Sequence, residues 1–142
     1  MSIDRELSDA IEKGDAEAVG RLLDDQPGIV NSRDWTPPPL HCAVLWNQPQ
    51  IAELLLDRGA NIDMLDPDRQ TTALRYAVVY AKANLIPVLL SRGANAGAIT
   101  DGGTTALELA REASEGAYEE FDDLPSRGEY AEVITALNSH LQ

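Results

Sequence analysis

Residues 38–63 read Pro38-Pro39-Leu40-His41-Cys42-Ala43-Val44-Leu45-Trp46-Asn47-Gln48-Pro49-Gln50-Ile51-Ala52-Glu53-Leu54-Leu55-Leu56-Asp57-Arg58-Gly59-Ala60-Asn61-Ile62-Asp63. Leu40, Ala43 and Val44 fall at i, i+3 and i+4, one stripe of a short helix. Ile51, Leu54 and Leu55 set the same stripe on a second helix. Asn47-Gln48-Pro49 between them is a tight turn. Pro49 is placed to start the second helix, where a missing N–H is no loss. Gly59 stands where a left-handed residue ends that helix. The polar residues after it suit a projecting hairpin.

The unit recurs. Leu40-His41-Cys42-Ala43 is matched by Leu74-Arg75-Tyr76-Ala77 and Leu107-Glu108-Leu109-Ala110, with leucines 34 and then 33 residues apart. Leu22-Leu23, Leu55-Leu56 and Leu89-Leu90 keep step, as do Arg58-Gly59-Ala60-Asn61 and Arg92-Gly93-Ala94-Asn95. The same period reaches back to Leu7 and Ala10. Four units of about 33 residues therefore cover almost the whole chain, a period that signals stacked repeats. Small alanines at matching positions let neighbouring helices approach closely. One unit cannot bury its apolar face alone, whereas a stack can. Pro87 interrupts an apolar helical run, but with Asn84 as N-cap it falls in the first turn, where it is tolerated.

At 142 residues, 44% of them apolar, the chain suffices for one domain with a sizeable core. Aromatics are only 5%, so that core is expected to be aliphatic. Acids number 24 against 11 Lys plus Arg, a net charge of −13. That charge argues against nucleic acid and against an anionic membrane surface as partners. It favours fast association with a basic partner. Cys42 is the single cysteine, which fits a reducing compartment. Met1-Ser2-Ile3-Asp4-Arg5-Glu6 has neither the basic nor the apolar region of a secretory signal. No apolar run is long enough to span a bilayer. A cytoplasmic location is expected.

The repeating motifs resemble those of the ankyrin repeat family over residues 4–142. Its Thr-Pro-Leu-His motif is best kept as Pro38-Pro39-Leu40-His41. It is weaker as Thr72-Ala73-Leu74-Arg75 and Thr105-Ala106-Leu107-Glu108. The Leu-Leu-Leu-x-x-Gly-Ala-Asn block is intact from Leu54 and close from Val88. Residues 10–19 and Gln26-Pro27-Gly28-Ile29-Val30-Asn31 look like the first repeat of small bacterial members. The resemblance implies an all-α solenoid of about four helix-turn-helix units with projecting β-hairpin-like loops. It forms one domain over 1–142, with repeats at about 4–34, 35–66, 67–100 and 101–142.

Departures from the pattern single out surfaces. The finger around Trp35-Thr36-Pro37-Pro38-Pro39 is about one residue short, and that around Asp66-Pro67-Asp68-Arg69-Gln70 about one long. Ala10 to Ala18, Ala43 to Ile51 and Ala77 to Leu85 are equal intervals. The matching interval from Ala110 to Val133 is longer by about 15 residues, an insert at about 114–130. It holds Tyr118-Glu119-Glu120-Phe121-Asp122-Asp123. Residues 101–142 carry ten acids and two Arg. Either the insert meets a basic partner, or it caps the stack with its acids in water, as terminal repeats require.

In the family, partners usually meet the finger tips and the inner face of each first helix. Here those positions are Trp35, Arg69 and Gly102 at the tips. On the helices they are Glu12 and Lys13, Leu45 and Trp46, Val79 and Tyr80, Glu112 and Ala113. Trp46 and Tyr80 lie off the core stripes, at positions the fold does not need for its core. Trp, Tyr and Arg are the side chains enriched in binding hot spots. The expected partner-binding set is Trp35, Leu45, Trp46, Arg69, Val79, Tyr80 and Glu112. Tyr118, Glu119, Glu120, Phe121, Asp122 and Asp123 form a second contact through the insert.

The catalytic inventory is thin. His41 and Cys42 are adjacent on a helix and so point about 100° apart. Cys42 takes the position of Tyr76 and Leu109, a packed core place. His41 matches the family histidine that braces finger against helix, and His140 lies near the end of the chain. There are too few Cys and His for a zinc site. Asp66-x-Asp68 lacks the downstream Gly and Glu of a calcium loop. No enzyme activity, cofactor or metal is expected. The expected function is a non-catalytic protein-binding module, a monomer rather than a homo-oligomer. The alternative is an immunity protein or antitoxin-like inhibitor of a basic enzyme, which small bacterial members of the family resemble and which −13 would suit. A self-associating structural protein using Trp46 and the insert is the third reading.

Overall fold

The computed structural model describes residues 3–32, 38–67, 71–95, 105–115, 125 and 127–141. They hold helices α1 (Ile3–Lys13), α2 (Ala16–Asp25), α3 (Pro39–Leu45), α4 (Pro49–Asp57), α5 (Ala73–Val79), α6 (Leu85–Ser91), α7 (Ala106–Ser114) and α8 (Arg127–Leu141). A 3-10 turn, Pro27–Asn31, follows α2. No strand occurs among the described residues. The expected finger tips, 33–37, 68–70 and 96–104, lie outside them. The base of the second finger is closed by Asp66, whose N–H donates to the Thr71 carbonyl at 2.9 Å.

Two rows of helices make an all-α stack. α1, α3, α5 and α7 pack side by side in one row, and α2, α4, α6 and α8 in the other. Each first helix also packs on the second helix of its own pair. The stripes read from the sequence face this junction. Leu40, Ala43, Val44, Ile51 and Leu55 are buried, as are Leu74, Ala77, Val78, Leu85 and Leu89. Ala43, Ala77 and Ala110 have no exposed surface at all, since each lies where one helix crosses the next. The core is aliphatic apart from Tyr76 and Tyr130, together with buried His41.

The helices start and stop by a few repeated devices. Thr72 Oγ1 accepts from Arg75 N–H at 3.2 Å, and Thr105 Oγ1 accepts from Glu108 N–H at 3.3 Å. Pro38 takes the matching place before α3 and gives no side-chain cap. Asn84 is the N-cap residue of α6, and Pro87 lies in its first turn. At the C-terminal ends one pattern recurs. The residues after α1, α3, α4, α5 and α6 include left-handed Gly14, Asn47, Gly59, Ala81 and Gly93. Each donates to the carbonyl three residues back, and the following residue to the carbonyl five back, as in Gln48 to Ala43 (2.8 Å) and Lys82 to Ala77 (2.7 Å). These are Schellman caps. Only Ala81, at φ 52°, holds this conformation with a Cβ and no side-chain polar group to support it.

Polar groups tie one unit to the next. Asn31 Nδ2 donates to the Gly59 carbonyl at 3.0 Å, and Asn61 N–H donates to Asn31 Oδ1 at 2.8 Å. Asn95 N–H donates to Asp63 Oδ1 at 3.3 Å, one unit on. Arg58 pairs with Asp24 at 2.5 Å and Arg92 with Asp57 at 2.7 Å. Both pairs are solvent-exposed and worth about 0–1 kcal/mol each.

The fourth helix pair departs where the insert was expected. α7 runs two residues longer than α3 and α5 and has Glu115 as its C-cap, at φ −85°. Residues 115–126 separate α7 from α8, against Gly14 and Asp15, 46–48, and 80–84 in the other pairs. α8 nonetheless completes the second row. It buries Tyr130, Val133 and Leu137, and the Tyr130 hydroxyl donates to the Val79 carbonyl at 2.7 Å. That carbonyl is one of the last in α5, which has no partner inside its own helix.

Two stability changes follow, each readable from urea denaturation. Ala81→Gly relieves the left-handed strain and raises stability by roughly 0.5–1 kcal/mol. Tyr130→Phe strands the Val79 carbonyl and lowers stability by about 1–2 kcal/mol with the m-value unchanged.

Candidate functional site

The inner row presents the ends of its helices in register. Leu45 and Val79 are the last residues of α3 and α5, and Trp46 and Tyr80 are their C-caps. The left-handed residue that follows each cap turns the chain back toward the second row. The C-cap side chains are thereby left on the inner side. Trp46 is 46% exposed, the one exposed large hydrophobic side chain among the described residues. Leu45, Val79 and Tyr80 beside it are half-buried. Glu12 and Lys13 on α1 and Glu112 on α7 are exposed in matching places, whereas Ala113 is buried.

Tyr80 is not wholly off the core. Its ring meets Tyr76 edge-on, with centroids 5.9 Å apart, and it packs against the buried cluster. The expectation that the fold does not need this position is corrected to that extent. An i, i+4 spacing on α5 puts the two rings together. Trp46 has no such anchor and keeps its expected exposure. Trp35, Arg69, Gly102 and the insert set Tyr118, Glu119, Glu120, Phe121, Asp122 and Asp123 lie outside the described residues.

Beneath this face is a buried polar group, of which the family resemblance anticipates the His41 brace but not the Tyr76–Asp66 pair. His41 Nε2–H donates to the Thr71 carbonyl at 2.7 Å, bracing α3 against the finger that leads into α5. The Tyr76 hydroxyl donates to Asp66 Oδ2, and the His41 and Tyr76 rings meet edge-on at 4.8 Å. Asp66 is 1% exposed, so its carboxylate needs the Tyr76 hydroxyl to help offset lost hydration. Asp66 had drawn notice only as half of a weak calcium-like pair. The signal that could have found it is Tyr76 itself, a phenol at a core place otherwise filled by Cys42 and Leu109, ten residues after an acid.

Neither His41 nor Cys42 is placed for chemistry. Burial pushes the His41 imidazole below its usual range, outweighing the Thr71 bond and the Asp66 charge, which pull it upward. His41 Nδ1 has no hydrogen-bond partner. Burial pushes the Cys42 thiol up to about 11, although a side-chain hydrogen bond with Ser8 works against it. A nucleophilic cysteine needs the opposite shift. Among the described residues no three His, Cys, Asp or Glu side chains gather as a metal site. No described helix is long and apolar enough to cross a membrane.

Comparison with known proteins agrees with the helix-pair stack. The ankyrin repeat family model matches residues 38–67, the α3–α4 pair. The chain is an ankyrin-repeat protein. It is 28% identical over 80% of its length to E3 ubiquitin-protein ligase hecd-1 of Caenorhabditis elegans. It is 28% identical over 70% of its length to ankyrin repeat and SAM domain-containing protein 6 of Mus musculus. It is 32% identical over 65% of its length to ankyrin repeat, SAM and basic leucine zipper domain-containing protein 1 of Notamacropus eugenii. The chain spans only 4%, 11% and 20% of these relatives. Ankyrin repeats are in general non-catalytic protein–protein interaction modules, which supports a binding role and a protein partner here.

The buried imidazole makes a pH prediction. With a folded pKa below the usual 6.5, the His41 contribution is intact above pH 6.5. It is lost as pH falls below that value, because the unfolded chain then takes up a proton that the folded chain refuses. NMR titration of the His41 ring should give a midpoint below 6.5, and a midpoint at or above it contradicts the buried neutral imidazole.

Proposed function

We propose that this ankyrin-repeat protein is a non-catalytic binding module that engages a partner protein on the inner face of its first helices. Trp46 carries the reading. A large aromatic side chain left 46% exposed in the row, with half-buried Tyr80 at the matching place on the next helix, is of the kind enriched in binding hot spots, and half-buried Leu45 and Val79 add apolar surface. Glu112 flanks this centre, and the sequence pattern adds Trp35 and Arg69 to the contact set. Residues 1–142 act as one domain, monomeric and cytoplasmic, the latter in keeping with a single buried cysteine.

The net charge of −13 favours a narrower second reading, an immunity protein or antitoxin-like inhibitor of a basic enzyme. Opposite charge would speed the encounter and make it salt-sensitive. The Tyr118–Asp123 stretch would add acidic contacts.

The test is a tagged pull-down from native lysate at low and high salt, read by mass spectrometry. The control is a Trp46→Ala, Tyr80→Ala double variant shown by circular dichroism to stay folded. A single basic protein released by salt and lost in the double variant is the expected result. Equal retention by the variant would remove Trp46 and Tyr80 from the interface. Inhibition of the captured protein separates the inhibitor reading from a scaffold.

A further inference from the structure

We infer that the first and last units of this stack fit one another, so that a second copy of the chain continues the helix rows head to tail. Some repeat positions are buried wherever a neighbouring unit lies against them and open only at one end of the stack. Toward the preceding unit, Pro39, Ala73 and Ala106 are buried at one such position, and Cys42, Tyr76 and Leu109 at a second. Their counterparts on α1 are exposed Glu6 and half-buried Asp9. In the second row, Ile51, Leu85 and Val133 are buried, as are Leu55, Leu89 and Leu137. Their counterparts on α2 are half-buried Ala18 and Leu22.

Toward the following unit, Leu7, Leu40 and Leu74 are buried, and so are Ile11, Val44 and Val78. On α7 the matching Leu107 is half-buried and Arg111 exposed. On α8, Ile134 is half-buried where Val19, Ala52 and Ile86 have no exposed surface. The apposition that carries one unit onto the next brings α1 of a second copy beside α7, and its α2 beside α8. Glu6 and Asp9 then face Arg111, and Ala18 and Leu22 face Ile134. Opposite charges meet in the first row and apolar side chains in the second. Arg5, Arg21, Glu108 and Glu115 match Thr105, Leu54, Arg75 and Lys82, which stay half-buried beside their neighbours. Those four charges therefore rim the contact.

Net charge works against the approach at long range. Residues 1–34 hold nine acids and four Lys plus Arg, residues 101–142 ten and two, and residues 35–100 five of each. The whole of the −13 thus belongs to the two end units, which repel each other. Salt screens this repulsion beyond about 8 Å at physiological ionic strength, while groups in contact still attract. The contact is accordingly weak, and the chain is the monomer of the reading above while dilute. Because two different surfaces meet, the contact is heterologous and copies add one after another. Each added copy extends the inner row by its own Trp46 face.

Sedimentation equilibrium of the full chain over a range of concentrations tests this, in about 0.01 M and about 0.15 M salt, where the screening length is about 30 Å and about 8 Å. Parent, Arg111→Glu and Glu6→Lys/Asp9→Lys/Arg111→Glu forms are compared after circular dichroism confirms their fold. In the higher salt the average mass of the parent is expected to rise with concentration and to pass that of a dimer without a plateau. Arg111→Glu sets three acids against one another and stays monomeric. The triple form, with the signs exchanged between the ends, associates again. A parent that is monomeric at every concentration, or a plateau at the dimer, would overturn the head-to-tail contact. Equal association by Arg111→Glu, or no recovery in the triple form, would overturn the pairing of Arg111 with Glu6 and Asp9. The inner-face reading depends on none of these residues and survives either result.

Discussion

Helices of seven to eleven residues, as α1 to α7 are, do not hold themselves together in water. Each has more unsatisfied end groups than internal hydrogen bonds. The rest of the structure follows from that constraint. Every end needs a cap, every apolar stripe needs a neighbouring unit, and no helix pair is stable apart from the next. The Schellman caps answer the first need, and the fully buried Ala43, Ala77 and Ala110 the second by letting helices close up. Because the caps fix where each helix stops, they also fix which side chain is left at its rim. Trp46 stands at such a rim, one residue before left-handed Asn47.

The architecture was legible because it is periodic and local. Leucine spacing, Pro49 at a helix start and the φ of 93° at Gly59 are consequences of residues within a few positions of one another. The insert was legible as a broken interval, and it begins where α7 ends, at Ser114. Of the polar links, only the His41 brace was legible, through the family motif; its acceptor Thr71 lies thirty residues away, and Tyr130 meets Val79 across 51. Such bonds depend on the angle at which units stack, which no local pattern states. Asp66 misled for a related reason, since an acid in a finger reads as solvated unless its phenol partner is known to fold over it.

The candidate face divides the same way. Reading side chains off the core stripe found Trp46, Leu45 and Val79 at the rim. It overstated the freedom of Tyr80, whose ring leans on Tyr76 and so is held by the core. That makes the two aromatic residues complementary. Tyr80 is pre-positioned by packing, so little rotamer entropy is lost when something lands on it. Trp46 is the more exposed partner and supplies more new contact area.

The Tyr130–Val79 hydrogen bond has a consequence for how this chain can change. It fixes the start of α8 to the end of α5, independently of the residues that join α7 to α8. The stack is therefore indifferent to what that connection contains. Lengthening a joining segment costs little, about 0.6 kcal/mol for each doubling. Residues 115–126 are accordingly a graft point, where a new epitope or recognition loop can be exchanged in one piece while the helix rows that carry it keep their geometry.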